Sequence, residues 1–306
     1  MTRPVVLFAM SLSAFVIVAP AHAQASCTLR QAIVQDRAIS ADYDGFDTRV
    51  SSAPLRLRVQ ADGDCSGASL EVAFLPERPG DRSGQGALLR HGGETLNLQI
   101  VDERGRNLIA QDESSAFALA QPVATLNRSG QIDQGRRLSA ELAPGQITAP
   151  GTFSTRLRML ARLRQAGGAI GPVVETALDA DIEVDPTVRL VARGATRIEL
   201  GELAEGKRAP TATFEALANI AYEIELESDN RWTLQMDGGG GAVPYRALVS
   251  NREASRSPDG SAALEFDRPG PDGIRRHTLD VEVLPFGRQQ AGERRDFLTL
   301  KISPRS

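Results

Sequence analysis

What most constrains this chain is a period-two alternation of apolar and polar residues that returns along most of its length. Leu55, Leu57 and Val59 alternate with Arg56, Arg58 and Gln60, which gives an extended chain one apolar and one polar face. The same spacing recurs in Leu70, Val72 and Phe74, in Leu96, Leu98 and Ile100, and in Leu157, Met159, Ala161 and Leu163. It resumes in Ile220, Tyr222, Ile224 and Leu226, then in Trp232, Leu234 and Met236, in Leu279, Val281 and Val283, and in Leu298, Leu300 and Ile302. Half-buried strands of this kind, with turn signals roughly every 10 residues, predict an all-β protein built as sandwiches. A chain of 306 residues can bury one large core or two ordinary ones, and its length favours two.

The first residues read as an export signal. Arg3 supplies the positive start, Val5 to Val18 the apolar stretch, and Ala21-His22-Ala23 the small-x-small cleavage site. Residues 1–23 are therefore expected to be removed, with Ala25 as the alternative end point. The apolar run is shorter than the roughly 20 residues that span a bilayer, and Pro20 interrupts it. The formal net charge of -4 becomes one unit more negative when Arg3 is lost, which argues against a nucleic-acid ligand.

Cys27 and Cys65 are the only cysteines, and an exported chain meets an oxidising compartment, so a disulfide between them is expected. Closing a loop of about 40 residues is worth about 4 kcal/mol on the chain-entropy argument. Two unpaired thiols are the alternative. Zinc is disfavoured, because two sulfurs without nearby histidine leave half of the tetrahedron empty.

Between residues 165 and 185 the alternation gives way to Ala-Gly-Gly-Ala-Ile-Gly-Pro, followed by Asp179, Asp181, Glu183 and Asp185 before Pro186. Glycine, proline and like charges predict a solvated linker over 167–186. On that reading residues 24–166 form an N-terminal binding domain and residues 187–306 a C-terminal domain. The acids lack the spacing and glycine of a calcium loop, so no metal is expected.

No catalytic constellation is expected, and no cofactor. Only His91 and His277 follow the export segment, neither accompanied by a Gly-x-Ser-x-Gly elbow, and both read as surface or turn histidines. Acid pairs for glycoside hydrolysis could form in space. One tryptophan and three tyrosines, however, offer few aromatic platforms for a polysaccharide. Phe74-Leu75-Pro76 and Phe117 could grip a surface, although core burial is the commoner fate of a phenylalanine.

Several segments resemble the spore coat protein U family, which includes the subunits of archaic, Csu-type chaperone-usher pili. Ser40 to Asp47, reading Ser-Ala-Asp-Tyr-Asp-Gly-Phe-Asp, is similar to the family's Phe-Gly-x-Tyr-Asp-Pro segment, with Gly45 where proline is usual. Arg197 to Leu203, Phe214, Ala218 to Tyr222 and Leu226 to Asn230 resemble its central core. Val243-Pro244-Tyr245-Arg246 and Asp296 to Ile302 resemble its later strands. The second half has no cysteine pair.

The resemblance implies two immunoglobulin-like sandwiches, the second lacking its last strand and so leaving an apolar groove. Val188, Leu190, Leu298, Leu300 and Ile302 are the expected groove residues. A periplasmic pilus chaperone, and then an adjacent pilin subunit delivered at an outer-membrane usher, would fill it with a donor strand. Only three residues separate the expected cleavage site from Cys27, too few for a donor strand of about 5 to 6 residues. The expectation is therefore a fimbrial tip adhesin, exported through the periplasm to the cell surface. The receptor is not specified. The alternatives are a secreted coat or matrix protein of the same fold, or a β-sandwich carbohydrate-binding module.

Overall fold

The structure is a computed structural model that describes residues 26–306 except 85, 119, 120, 195, 196, 209–211, 237, 238, 258, 289, 290 and 306. The expected export segment lies outside the described residues. The strands of the first half are β1 Thr28–Val34, β2 Ala38–Tyr43, β3 Ser51–Leu55, β4 Leu57–Asp62, β5 Ser69–Pro76, β6 Arg82–Ser83 and β7 Gly86–His91. They continue with β8 Glu94–Asp102, β9 Ala124–Leu126, β10 Ile132–Gly135, β11 Leu138–Leu142, β12 Gly151–Arg164 and β13 Val174–Val184. The second half holds β14 Val188–Ala192, β15 Ala212–Ala218, β16 Tyr222–Ser228, β17 Thr233–Leu234 and β18 Val243–Val249. Then follow β19 Arg252–Glu253, β20 Ser255–Arg256, β21 Ser261–Phe266, β22 Ile274–Val283 and β23 Leu298–Pro304. A single 3-10 turn, Pro79–Asp81, is the one helical element among the described residues.

The alternation decides where each strand points. In β12, Phe153, Leu157, Met159, Ala161 and Leu163 are buried, and in β16 Tyr222, Ile224 and Leu226 are. In the first half the sheet order is β10-β9-β5-β12-β7-β8-β11-β3, with β13 joining antiparallel β12 to parallel β2. The β1–β4 ribbon is separate and lies against β12 and β13. These strands enclose one core running from Cys27 to Val184. In the second half β14-β15-β22-β18-β17 faces β20-β21-β16-β23 across a second core, from Phe214 to Val283. The protein is all-β, as expected, with sandwich-like layers in each half.

The linker expected over 167–186 is corrected by the structure. Val174–Val184 is β13, hydrogen-bonded along β12 from Val184 opposite Gly151 to Val174 opposite Ala161. Leu178, Ala180, Ile182 and Val184 are buried in the first core, and the acids between them point outward. They do not repel the strand into solvent, because β12 places polar and basic partners opposite. Arg156 Nε lies 3.5 Å from Asp179, Arg158 reaches Glu175, and Thr152 donates to Glu183 at 2.6 Å. Cross-strand pairing of this type offsets like-charge repulsion along a strand. Within 167–186 only the stretch up to Val173 and the Asp185-Pro186 step into β14 lie outside a strand. Phe74 and Leu75 are fully buried in β5, and Phe117 lies beneath the Arg162 guanidinium, 4.1 Å from ring centre to Cζ.

The two halves touch. Arg189 of β14 hydrogen-bonds Asp44, Arg268 binds the Glu94 carboxylate, and Gly273 packs against Phe46 and Ile147. A Cβ at Gly273 would come within 2.7 Å of both side chains, and its φ of 65° already favours glycine.

Candidate functional site

The second core is flanked by two strands that each have one unpaired edge. Among the described residues β14 ends one sheet and pairs only with β15, Val188 opposite Ala218 and Leu190 opposite Ala216. Among the described residues β23 ends the facing sheet and pairs only with β16, Leu298 opposite Ser228, Leu300 opposite Leu226 and Ile302 opposite Ile224. The two edges run beside one another without hydrogen-bonding.

All five expected groove residues lie on these strands. Val188, Leu190, Leu298, Leu300 and Ile302 pack against the second core yet are only half-buried. Their neighbours on the other face, Arg189, Thr299, Lys301 and Ser303, are exposed, so the apolar set faces inward along an open seam. A β23 of seven residues gives a seam about 23 Å long at about 3.3 Å per residue. Chemically, it offers a backbone ladder on each side and an apolar floor between, the requirements for taking up one extended strand.

Where β23 begins, four groups converge on one carboxylate. Asp296 Oδ2 accepts from Ser228 Oγ at 2.6 Å and from the Tyr245 hydroxyl. Its Oδ1 accepts from the backbone N–H of Asn230 at 3.0 Å and of Phe297 at 2.8 Å. Ser228 Oγ in turn accepts from the Trp232 N–H at 2.6 Å, closing a turn in which Arg231 and Trp232 both have positive φ. Burial, with Asp296 beside it, holds the Tyr245 hydroxyl far above its ordinary pKa. The segments that carry the family resemblance, Leu226 to Asn230, Val243 to Arg246 and Asp296 to Ile302, thus meet at this point. The sequence reading did not single out Asp296. The signal was a set of polar residues, Ser228, Tyr245 and Asp296, sitting at the ends of apolar alternations.

His277 corrects a second expectation. It is not a surface residue but is 1% exposed, stacked on Phe214 and packed edge-on against Phe266. Its Nε2 lies 2.6 Å from the Tyr222 hydroxyl and its Nδ1 3.0 Å from Ser250 Oγ. Burial, aided by nearby Arg275, lowers its pKa to about 4. A Ser–His contact with so weak a base serves packing better than nucleophilic chemistry, which calls for a base poised near neutral pH. His91 is exposed, at the end of β7, with Nδ1 3.2 Å from the Thr152 carbonyl.

In the first half, Cys27 and Cys65 form the expected disulfide, their Cα atoms 4.7 Å apart. The bridge sits beside the 165–173 loop, where Gln165 Nε2 donates to the Cys27 carbonyl at 2.5 Å. Among the described residues no group of His, Cys, Asp and Glu is arranged to hold a metal ion.

The described residues form an all-β protein of sandwich-like layers whose second core is bordered by two edge strands carrying half-buried apolar side chains. No family model matches the chain, so the resemblance to the spore coat protein U family rests on the quoted residues alone. No curated protein matches it either. Among solved structures, the chain is similar to the CsuC–CsuE chaperone-tip adhesion subunit pre-assembly complex of Acinetobacter baumannii. That match has 13% identity and a TM-score of 0.45 over 90% of this chain and 99% of that one. It is also similar to the CupB6 tip adhesin of Pseudomonas aeruginosa, at 12% identity and TM-score 0.34 over 90% and 95% of the two chains. A third similarity is to CfaE, the adhesive subunit of the CFA/I fimbria of enterotoxigenic Escherichia coli, at 12% identity and TM-score 0.32 over 88% and 92%. At these values nothing beyond the match itself is transferred to this chain.

Proposed function

We propose that this chain is an adhesive subunit at the tip of a chaperone-usher pilus, whose second sandwich accepts a donor strand from a neighbouring subunit. The observation that carries the reading is the pair of unpaired edges, β14 and β23, with five half-buried apolar side chains between them. An edge of that kind promotes self-association if left bare, and added backbone pairs it while added side chains bury its floor. Before assembly the same seam would be covered by a periplasmic chaperone, and an outer-membrane usher would exchange one strand for the other.

In the first half the first described strand is used internally. β1 is hydrogen-bonded to β4 within its own core, and Cys27 just ahead of it is tied to Cys65. That strand is committed internally rather than offered to another subunit. The first sandwich would then be the exposed, binding half.

The test is strand addition in trans. A synthetic peptide of alternating valine or isoleucine and threonine, offered to the purified oxidised chain, should bind and raise the thermal midpoint of the second half by several degrees. Leu300→Asp places a charge in the seam and should abolish the gain while leaving the first half's transition unchanged. A chain that is monomeric and heat-stable alone and ignores the peptide would overturn the proposal.

A further inference from the structure

β23 presents a physical difficulty. A strand's register is normally fixed because a one-residue slip moves its whole apolar set to the wrong face. Here that force is weakened, since Leu298, Leu300 and Ile302 are only half-buried until something fills the seam. Their exposed neighbours Thr299 and Lys301 would turn into the seam on such a slip.

The chain also changes sheets just before this strand. Arg295 bridges to Gln235 beyond β17 in one sheet, with both backbone hydrogen bonds formed, at 2.9 and 3.1 Å. Three residues later, Leu298 pairs with Ser228 of β16 in the other sheet. Asp296 stands between these two points. Its carboxylate is held from both layers, by Tyr245 of β18 on one side and by Ser228 and Asn230 on the other. It also accepts from the next backbone N–H, that of Phe297. Phe297 itself returns a carbonyl to the Asp229 N–H at 3.1 Å.

From this geometry we infer that Asp296 is the positioning residue of the seam: it sets the phase of β23, so that Leu298, Leu300 and Ile302 face inward before any partner strand arrives. The inference rests on the strand-acceptor reading of the same groove and adds to it the residue that pre-forms the wall. Its polar clamp takes over the task that apolar burial performs in a completed sandwich. Two of its donors are themselves buried, Tyr245 at 1% and Ser228 at 8% exposure, so the clamp is shielded from competing water.

The experiment is amide hydrogen exchange on the full oxidised chain, with Asp296→Ala, Tyr245→Phe and Ser228→Ala compared with the parent, followed by titration with the same alternating peptide. Leu264→Ala, a core truncation on β21 away from the clamp, serves as the control for general destabilisation. Asp296→Ala should lower protection of the 298–302 amides at least tenfold while those of β15 and β22 stay within a factor of two. It should also weaken peptide binding at least tenfold, and Tyr245→Phe and Ser228→Ala should fall between it and the parent. Leu264→Ala should shift all strands together and leave peptide affinity within a factor of two once folded. Unchanged protection at 298–302, or a uniform loss over every strand of the second half in Asp296→Ala, would overturn the role assigned to Asp296. A parent that binds no peptide would defeat the strand-acceptor reading instead, and the exchange pattern would still decide the clamp.

Discussion

His277 is a buried base whose neutral form the fold prefers. With its pKa lowered to about 4 from the ordinary 6.5, the unfolded chain binds a proton in the window between those values while the native chain does not. Stability should therefore fall as pH drops from about 6.5 towards 4, with a slope of up to about 1.4 kcal/mol per pH unit from this one group. Below about 4 its contribution no longer changes. The carboxylates held down by arginine or backbone donors, Glu94 and Asp102 among them, act in a lower window, their stabilisation being lost only as pH falls through their depressed values. Denaturant titrations of parent and His277→Gln between pH 7 and 4 should separate the two, the variant being flatter above pH 4.5. Equal slopes would mean that His277 titrates normally and is hydrated. A lone histidine suggests a surface position by residue type, whereas His277 occupies the inward phase of β22 with Leu279, Val281 and Val283, and that alternation decides its burial.

β13 makes the same point for a whole strand. Leu178, Ala180, Ile182 and Val184 keep the period of two, and the acids between them fill the outward phase. The alternation is legible in the sequence, but a row of like charges is also the signature of a solvated loop. Whether a row of acids is solvated loop or sheet surface depends on what lies opposite, and Arg156 and Thr152 are brought there only by the pairing with β12. A related device recurs on the sheet surfaces. Glu71 is fully buried between Arg162 and Arg164, each donating Nε at 2.8 Å, and Glu215 lies between Arg193 and Arg276. Limited proteolysis should accordingly cut first within the exposed stretch 166–170 and spare Val174–Val184, whose backbone is paired on both sides, to β12 and in part to β2. Early cleavage inside 174–184 would contradict the strand.

Across the whole molecule, two cores with separate memberships imply separate responses to reduction. The Cys27–Cys65 bridge ties residues of the first core only. Reduction, or Cys27→Ser with Cys65→Ser, should lower the stability of the first half by about 2 to 5 kcal/mol. The second half's melting transition should stay in place, which two-transition calorimetry would read directly. A concerted loss of both transitions would show that the contacts of Arg189 with Asp44 and Arg268 with Glu94 fuse the halves into one cooperative unit.

The all-β class, the disulfide and the inward phase of Leu298, Leu300 and Ile302 were legible in the sequence itself. Alternation is a local property, and the two cysteines of a chain that has no others have one intramolecular partner each. Tertiary structure alone decided which strands became edges, and hence that Val188 and Leu190 would lie near Leu298, Leu300 and Ile302 at the border of the second core. It also decided that Ser228, Tyr245 and Asp296, up to 68 residues apart, would share one carboxylate. Strand order and cross-sheet convergence join residues distant in the chain, and no local period encodes which strands will end a sheet.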